Sequence, residues 1–385
     1  GVFLSLDLLL FFVFWEVGLI PMYFLINQWG SANREYASFK FIIYTMAGSL
    51  GLLLAIQLIG VTAGTFDLLA ITSKWTALDQ PLQLLGLPIT LSTSTVKIIA
   101  FWAFVIAFAI KVPIWPFHTW LPDAHTEAPT GGSMILAGVL LKLGAYGFLR
   151  LVLPLYPAEA KQFAGVLGLL GTLAIVLGAF AAWGQNDFKR LVAYSSVNHM
   201  GFVVLGIAAA AFVQDGSQDM VIALNGAVLQ MFNHGLSAAG MFLLVGVIYE
   251  RTHSRDLDSY GGLFPLAPVY GGILIFTAMA SLGLPGLNGF VSEFLVVRGS
   301  WPILTLFTAI SMIGLLITGA YILKGIMKVL HGPLNEKWAD HPLEINRREI
   351  LAIAPLMLLM LLIGVWPGWI LSVINDTILR LFGSS

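Results

Sequence analysis

Long apolar runs separated by short polar stretches fill almost the whole chain. Ten of them have about the ~20 residues a helix needs to cross a ~30 Å hydrocarbon core. They fall at residues 8–27, 38–61, 93–115, 132–151, 161–183, 190–213, 221–249, 265–298, 302–331 and 348–370. The runs at 221–249 and 265–298 are longer than a bilayer requires, which predicts tilt or interruption. Past the last run, "LSVINDTILRLFG" (371–383) predicts an amphipathic tail on the membrane surface, so that residues 1–370 form one membrane domain and 371–385 its tail. Gly1 opens in apolar sequence with neither a signal-peptide pattern nor an initiator methionine, and the expectation is that an N-terminal portion of the gene product precedes it.

Positive charge between the runs orients them, since Lys and Arg collect in cytoplasmic loops. Arg34 and Lys40 follow the first run, Lys189 and Arg190 the fifth, Arg251 and Arg255 the seventh, and Lys337, Arg347 and Arg348 the ninth. The loop "QDGSQD" (214–219) after the sixth run has no Lys or Arg. Loops after odd-numbered runs are therefore predicted to be cytoplasmic, with Arg150 and Lys161 on the outer side against the rule.

Composition agrees with this pattern. The chain is 58% hydrophobic and 10% charged, against about 25% charged for a soluble domain. Its mean hydropathy is +0.90. The predicted class is an all-α polytopic membrane protein. It has no cysteine, which excludes disulfides, thiolate zinc sites and cysteine-ligated iron–sulfur clusters. No Walker A, GxGxxG or HExxH motif is present, and no basic patch with interleaved aromatics points to nucleic acid.

Ionisable residues inside the runs are then the informative ones. They are Glu16, Lys111, Lys142, His199, His234 and Glu293. A charge at the bilayer centre costs about 3 kcal/mol on insertion scales, so such groups must face protein, one another or internal water. Singly, each has a plain reading. Lys111 is near the end of its run and could snorkel, and a neutral histidine bonded within a bundle is common. Lys142 lies at mid-depth, where snorkelling is a poor explanation. Acid, base and imidazole on separate runs together make a candidate proton path, because burial and a neighbouring carboxylate push a lysine's proton affinity in opposite directions. Histidine, with its ordinary pKa near 6.5, can relay between such sites.

Two runs carry helix breakers. Pro113 and Pro116 remove backbone donors just after Lys111, and "SLGLPGLNGF" (281–290), with Pro285, interrupts the eighth run before Glu293. Irregular backbone at membrane depth persists only inside protein or along a water-filled cavity. Paired interruptions in two halves are a sign of an internal repeat. Lys111 to Lys142 and Glu293 to Lys324 are equally spaced (142 − 111 = 324 − 293 = 31), although Lys324 lies nearer a run's end and can be read as interfacial.

The segments "FWEVGLIPMYFLI", "KVPIWPFHTWLPDAHTEAPTGGSMILAGVLLKLGAYGFLR", "DFKRLVAYSSVNHMGFV", "HGLSAAGMFLL" and "LPGLNGFVSEF" resemble the antiporter-like membrane subunits of respiratory complex I. The likeness runs from residue 1 to about 370, with "HTWLPDAH" its most specific block. Glu293, where related subunits carry lysine, makes the chain most similar to the M-type branch. The resemblance implies about fourteen helices with inverted repeats, of which these runs are the fifth to fourteenth. Residues 1–151 are then the remainder of the first repeat, 161–331 the second, and 348–370 the final helix. It also implies that Glu16 pairs with Lys111 on one broken helix, that Lys142 is a relay lysine, that His199 and His234 bridge the midplane, and that Glu293 is the terminal acceptor. His118, Asp123 and His125, beside Pro113 and Pro285, are implied as supporting polar and broken-helix positions.

The activity implied by the resemblance is proton translocation driven by quinone reduction elsewhere. Protons would be taken from the cytoplasm toward Lys111 and Lys142, passed through His199 and His234, and released from Glu293. The resemblance implies no cofactor or metal in this chain, and flavin, iron–sulfur clusters and quinone on partner subunits. The implied partners are L-type and N-type subunits, an indirectly linked quinone-reducing arm and the lipid bilayer. The implied location is the bacterial cytoplasmic membrane, or a thylakoid in a photosynthetic host. Three rivals accompany it. They are a subunit of a multi-subunit sodium/proton antiporter, a haem-bearing quinone oxidoreductase with His199 and His234 as axial ligands, and a structural scaffold.

Overall fold

A computed structural model describes residues 1–83 and 90–383; residues 384 and 385 of the expected tail lie outside the described residues. The first crossing is a pair of end-to-end helices, α1 (Leu8–Val17) and α2 (Leu19–Trp29), followed by α3 (Arg34–Ala63) and a short α4 (Leu68–Thr76). Leu82–Gln83 then pairs antiparallel with Thr90–Leu91. Next come α5 (Thr93–Lys111), α6 (Trp120–Glu127) and α7 (Thr130–Ile135). The crossing that α7 begins continues through α8 (Leu141–Gly147) to α9 (Leu153–Leu155), and α10 (Pro157–Gln162) leads into α11 (Ala164–Trp183). The second half comprises α12 (Phe188–Val213), α13 (Gln218–Thr252), α14 (Pro268–Leu282), α15 (Asn288–Ser300), α16 (Thr305–Leu330), α17 (Arg347–Val365) and α18 (Gly368–Phe382).

Among the described residues, nine helical segments are long and apolar enough to cross a membrane. The predicted tenth, at 265–298, is the interrupted one: α14 and α15 are each too short to cross alone. The third run ends as a helix at Lys111 rather than at 115, because Pro113 cannot donate to the carbonyl of Ala109. Ile114 N–H takes that carbonyl instead, and the indole Nε1 of Trp120 donates to the freed carbonyl of Ile110 at 2.9 Å. The break is thus satisfied internally, as membrane depth demands. Hydropathy did not predict α4 or the two-residue strand pairing.

Both halves use one local device. Asp7 caps α1 through the Leu9 and Leu10 amides, and its strand-like bridge to Asp67 joins Leu8 N–H to Phe66 O and Leu68 N–H to Leu6 O. Asp187 caps α12 through the Arg190 amide, and bridges Asp256 with Phe188 N–H on Arg255 O and Leu257 N–H on Asn186 O.

Burial is uneven across the helices. The most apolar stretch of α12 is 89% buried, whereas that of α17 is 17% buried and faces outward. Small residues let α13 and α15 approach closely. A Cβ on Gly226 would fall 2.5 Å from the Val296 backbone nitrogen, and one on Gly299 2.3 Å from that of Ala223. Both neighbours are backbone and cannot swing aside. Gly226→Val is therefore expected to cost about 1–3 kcal/mol or more as overpacking, read as a lower unfolding temperature of the detergent-solubilised complex; an unchanged temperature would contradict the packing.

Candidate functional site

The interior holds two hydrogen-bonded groups of polar side chains, which meet at the rings of His234 and His199. Lys142 lies on α8, between two π-helical turns, Leu136–Leu140 and Phe148–Val152, a local geometry frequent at functional sites. Its Nζ donates to the Ala137 carbonyl and lies 2.7 Å from His234 Nδ1. An ammonium only donates, so with Lys142 charged Nδ1 is the acceptor and the ring proton of His234 is on Nε2. That Nε2 is buried and without a hydrogen-bond partner. The His234 and His199 ring centroids are 5.8 Å apart. Against both rings is a cavity of about 10 Å³, also lined by Ser195, Ser237 and Ser281. It is at the threshold of space for one water molecule.

His199 continues the set. Its Nδ1 is 2.7 Å from Glu293 Oε1, and its Nε2 is 3.2 Å from the Tyr321 hydroxyl. With Glu293 ionised, its oxygen only accepts and Nδ1 is the donor. Gln230 Nε2 donates to the same Oε1 at 3.0 Å, while Oε2 is buried without a partner. Asn233 Nδ2 donates to the Asn288 carbonyl at 2.7 Å and to Ser292 Oγ at 2.9 Å, and Ser292 Oγ donates to Gln230 Oε1 at 2.5 Å. These bonds fix α15 on α13 and so fix Glu293 opposite His199. Lys142, His234, His199 and Glu293 are all nearly inaccessible to solvent.

Gln230, Tyr321, Asn233 and Ser292 do not stand out in the sequence. "LQMFNH" offers a signal: Gln230, Asn233 and His234 recur at helical spacing on one otherwise apolar helix. Tyr321 offers none beyond its place within a run.

The expected Glu16–Lys111 pair is not formed. Among the described residues no ion pair within 4.0 Å joins them. Lys111 instead donates to the Trp15 carbonyl at 3.4 Å, with Nζ 4.4 Å from the Trp15 ring centroid. Ser49 Oγ holds that ring through Nε1 at 3.0 Å. Successive helical residues point about 100° apart, so Lys111 on Trp15 is beside Glu16 but not on it. Glu16 Oε1 is buried without a partner. The helices carrying Lys111 and Lys142 touch: a Cβ on Gly144 would lie 2.8 Å from the Phe108 carbonyl.

The remaining expected positions separate. Pro113 and Pro285 lie in the two helix breaks. His118, in the first break, meets Tyr194 edge-on at 6.0 Å and does not reach the relay. Asp123 is half-buried, paired with Lys40 at 2.6 Å and Arg190 at 3.2 Å, where it ties α6 to α3 and α12. Lys324 donates to the carbonyls of Trp183 (2.9 Å) and Gln185 (2.7 Å), capping the end of α11 rather than joining the path. Among the described residues no cluster of three or more His, Asp or Glu forms a metal site. The cavity at His199 and His234 is far too small for a porphyrin, which removes the haem reading.

Buried ionisable residues on a bundle with two broken helices define a class: membrane subunits that carry ions through their interior. The chain belongs to the family described as NADH:quinone oxidoreductase/Mrp antiporter, TM, whose profile matches residues 5–318. It is 42% identical over 384 residues to NADH-quinone oxidoreductase subunit M of Rhodobacter capsulatus, covering 99% of this chain and 72% of that protein. The same subunit of Escherichia coli K12 is also 42% identical over 384 residues, covering 98% and 72%. Among solved structures, respiratory complex I from Thermus thermophilus with bound NADH contains a chain superposing with a TM-score of 0.85 at 31% identity, covering 100% of this chain and 77% of that one. A chain of the Mrp complex from Dietzia sp. superposes with a TM-score of 0.84 at 20% identity and shares the fold.

Proposed function

We propose that this chain is a proton-translocating membrane subunit of a complex I-type NADH–quinone oxidoreductase. The observation that carries this reading is the buried sequence Lys142–His234–His199–Glu293, whose members meet at 2.7 Å at both ends. Neutral lysine, imidazole and carboxylate can each accept and return a proton, and chains of this kind mark proton relays in membranes. Oxidation and reduction belong to partner subunits carrying flavin, iron–sulfur clusters and quinone. Protons enter from the side of the positively charged loops and leave beyond Glu293. The neighbours are antiporter-like subunits of L and N type, in a bacterial cytoplasmic membrane or, in a photosynthetic host, a thylakoid. Residues 1–151 are the remainder of one repeat and 161–331 its inverted counterpart, a reading that the matching Asp7/Asp67 and Asp187/Asp256 bridges support.

Lys111 and Glu16 are the switch at the head of the path. With Lys111 on the Trp15 carbonyl the pair is open. Moving Nζ onto the adjacent carboxylate closes it and favours the charged lysine, because an opposite charge within ~4–6 Å stabilises that form. The test is Glu16→Ala in the assembled complex in vesicles. Proton translocation should be lost while the subunit still assembles, since Glu16 makes no bond that holds a helix in place. Undiminished translocation would contradict the switch. Sodium movement without NADH would instead place the chain with the cation exchangers.

A further inference from the structure

His125 stands outside the line from Lys142 to Glu293. It is wholly buried on α6, its ring stacked flat on Phe242 with centroids 4.4 Å apart and planes 5° apart. Neither ring nitrogen has a hydrogen-bond partner. Leaving a buried polar group unsatisfied costs about 1–3 kcal/mol, and a phenylalanine would stack there without that cost.

Its place explains what it is for. Three residues further along α6 is Ala128, and three further along α13 from Phe242 is Val245, a rise of about 4.5 Å in each helix. Both line a cavity of about 250 Å³ whose charged lining is Glu127, Lys189, Glu250 and Arg255. Residues after the first and seventh runs and at the start of the sixth converge there, all from the side predicted to be cytoplasmic. Lys189 donates to the Ala128 carbonyl at the cavity's inner edge. Arg255 is 3.2 Å from Asp187 and 3.9 Å from Glu127 across its mouth.

On the inner side, Ser133 Oγ donates to the His125 carbonyl at 3.0 Å, which fixes the start of α7 beside the histidine. Ala137, whose carbonyl receives Lys142, is four residues on from Ser133, about 6 Å along the helix. The Lys142 ammonium thus reaches back toward His125. Lys189, bonded to the Ala128 carbonyl, and Lys142, bonded to that of Ala137, hold backbone on either side of the α6–α7 turn that follows His125.

We propose that His125 is an inlet relay that takes protons from the Glu127–Lys189–Arg255 cavity and hands them to Lys142. The inference rests on Lys142 being a proton carrier. In the step itself, a proton binds one ring nitrogen and the proton on the other leaves for the neutral Lys142 amine. The ring returns to neutrality, one proton has moved inward, and rotation or tautomer exchange resets it.

The test is proton translocation by the assembled complex in vesicles, with Lys142→Ala as the reference. His125→Phe keeps the stack on Phe242, and should slow translocation by roughly 100-fold, the lower end of the loss expected when a positioned proton-transfer group is removed. His125→Ala leaves a ring-sized space, and added imidazoles should restore translocation in order of their basicity, whereas a non-basic ring of equal size should not. Should His125→Phe fail to assemble, this rescue series decides alone. Full translocation in His125→Phe, or equal rescue by the non-basic ring, overturns the inlet. If Lys142→Ala then still abolishes translocation, the relay reading stands and only the inlet falls. If Lys142→Ala is silent as well, the relay falls with it.

Discussion

Lys142→Arg in the assembled complex should stop proton translocation as completely as Lys142→Ala. The two substitutions separate charge from proton transfer. Alanine removes the partner of His234 Nδ1 and leaves that nitrogen buried, at about 1–3 kcal/mol. Arginine keeps a cation of similar reach but does not release its proton in proteins. A structural or purely electrostatic role for Lys142 is satisfied by arginine, whereas a carrier role is not. The loss should be roughly 100-fold or more in either variant, measured as the rate of proton translocation driven by NADH. Quinone reduction should slow with it wherever the two are coupled. Substantial translocation by the arginine variant would make Lys142 a fixed charge and remove the relay's first member.

The second large effect is expected at Glu293. Glu293→Gln keeps the side chain's length, and its carbonyl oxygen can still accept from His199 Nδ1 and Gln230 Nε2. What it cannot do is bind and release a proton. Translocation should be lost while assembly and thermal stability stay close to those of the parent. Glu293→Ala is expected to be worse in a different way, since it leaves His199 Nδ1 and Gln230 Nε2 buried without their acceptor at about 1–3 kcal/mol each, and α15 would lose part of its hold on α13. The difference between the two variants distinguishes a site that carries protons from one that only holds helices together. A glutamine variant that pumps at full rate would leave Glu293 with the second role alone.

The membrane crossings, both helix breaks and the six ionisable residues were legible in the chain because each leaves a strong one-dimensional mark. A charge within 20 apolar residues, or a proline beside it, needs no neighbour to be noticed. Contacts were legible only where a helix face decides them. Hydropathy puts Glu16 and Lys111 inside neighbouring runs but does not give rotation about the helix axis, and in the structure Lys111 meets Trp15 rather than forming an ion pair with Glu16 within 4.0 Å. Asp123 and Lys324 illustrate the same limit. Asp123 lies between two runs and Lys324 near a run's end, and only the fold shows that one ties helices together while the other caps α11. The order Lys142, His234, His199, Glu293 reverses the two histidines relative to the chain, and no spacing rule supplies it. Gln230 and Tyr321 complete the site from helices whose polar residues look ordinary one at a time.

The most direct measurement is time-resolved infrared spectroscopy of the carboxyl stretch of Glu293, assigned by its disappearance in Glu293→Gln and triggered by adding NADH to the assembled complex. If Lys142, His234, His199 and Glu293 form one proton line, the protonation signal of Glu293 should be present in the parent and absent in Lys142→Arg. A Glu293 signal of undiminished size in Lys142→Arg would contradict the line, since the carboxylate would then be receiving its proton from somewhere else.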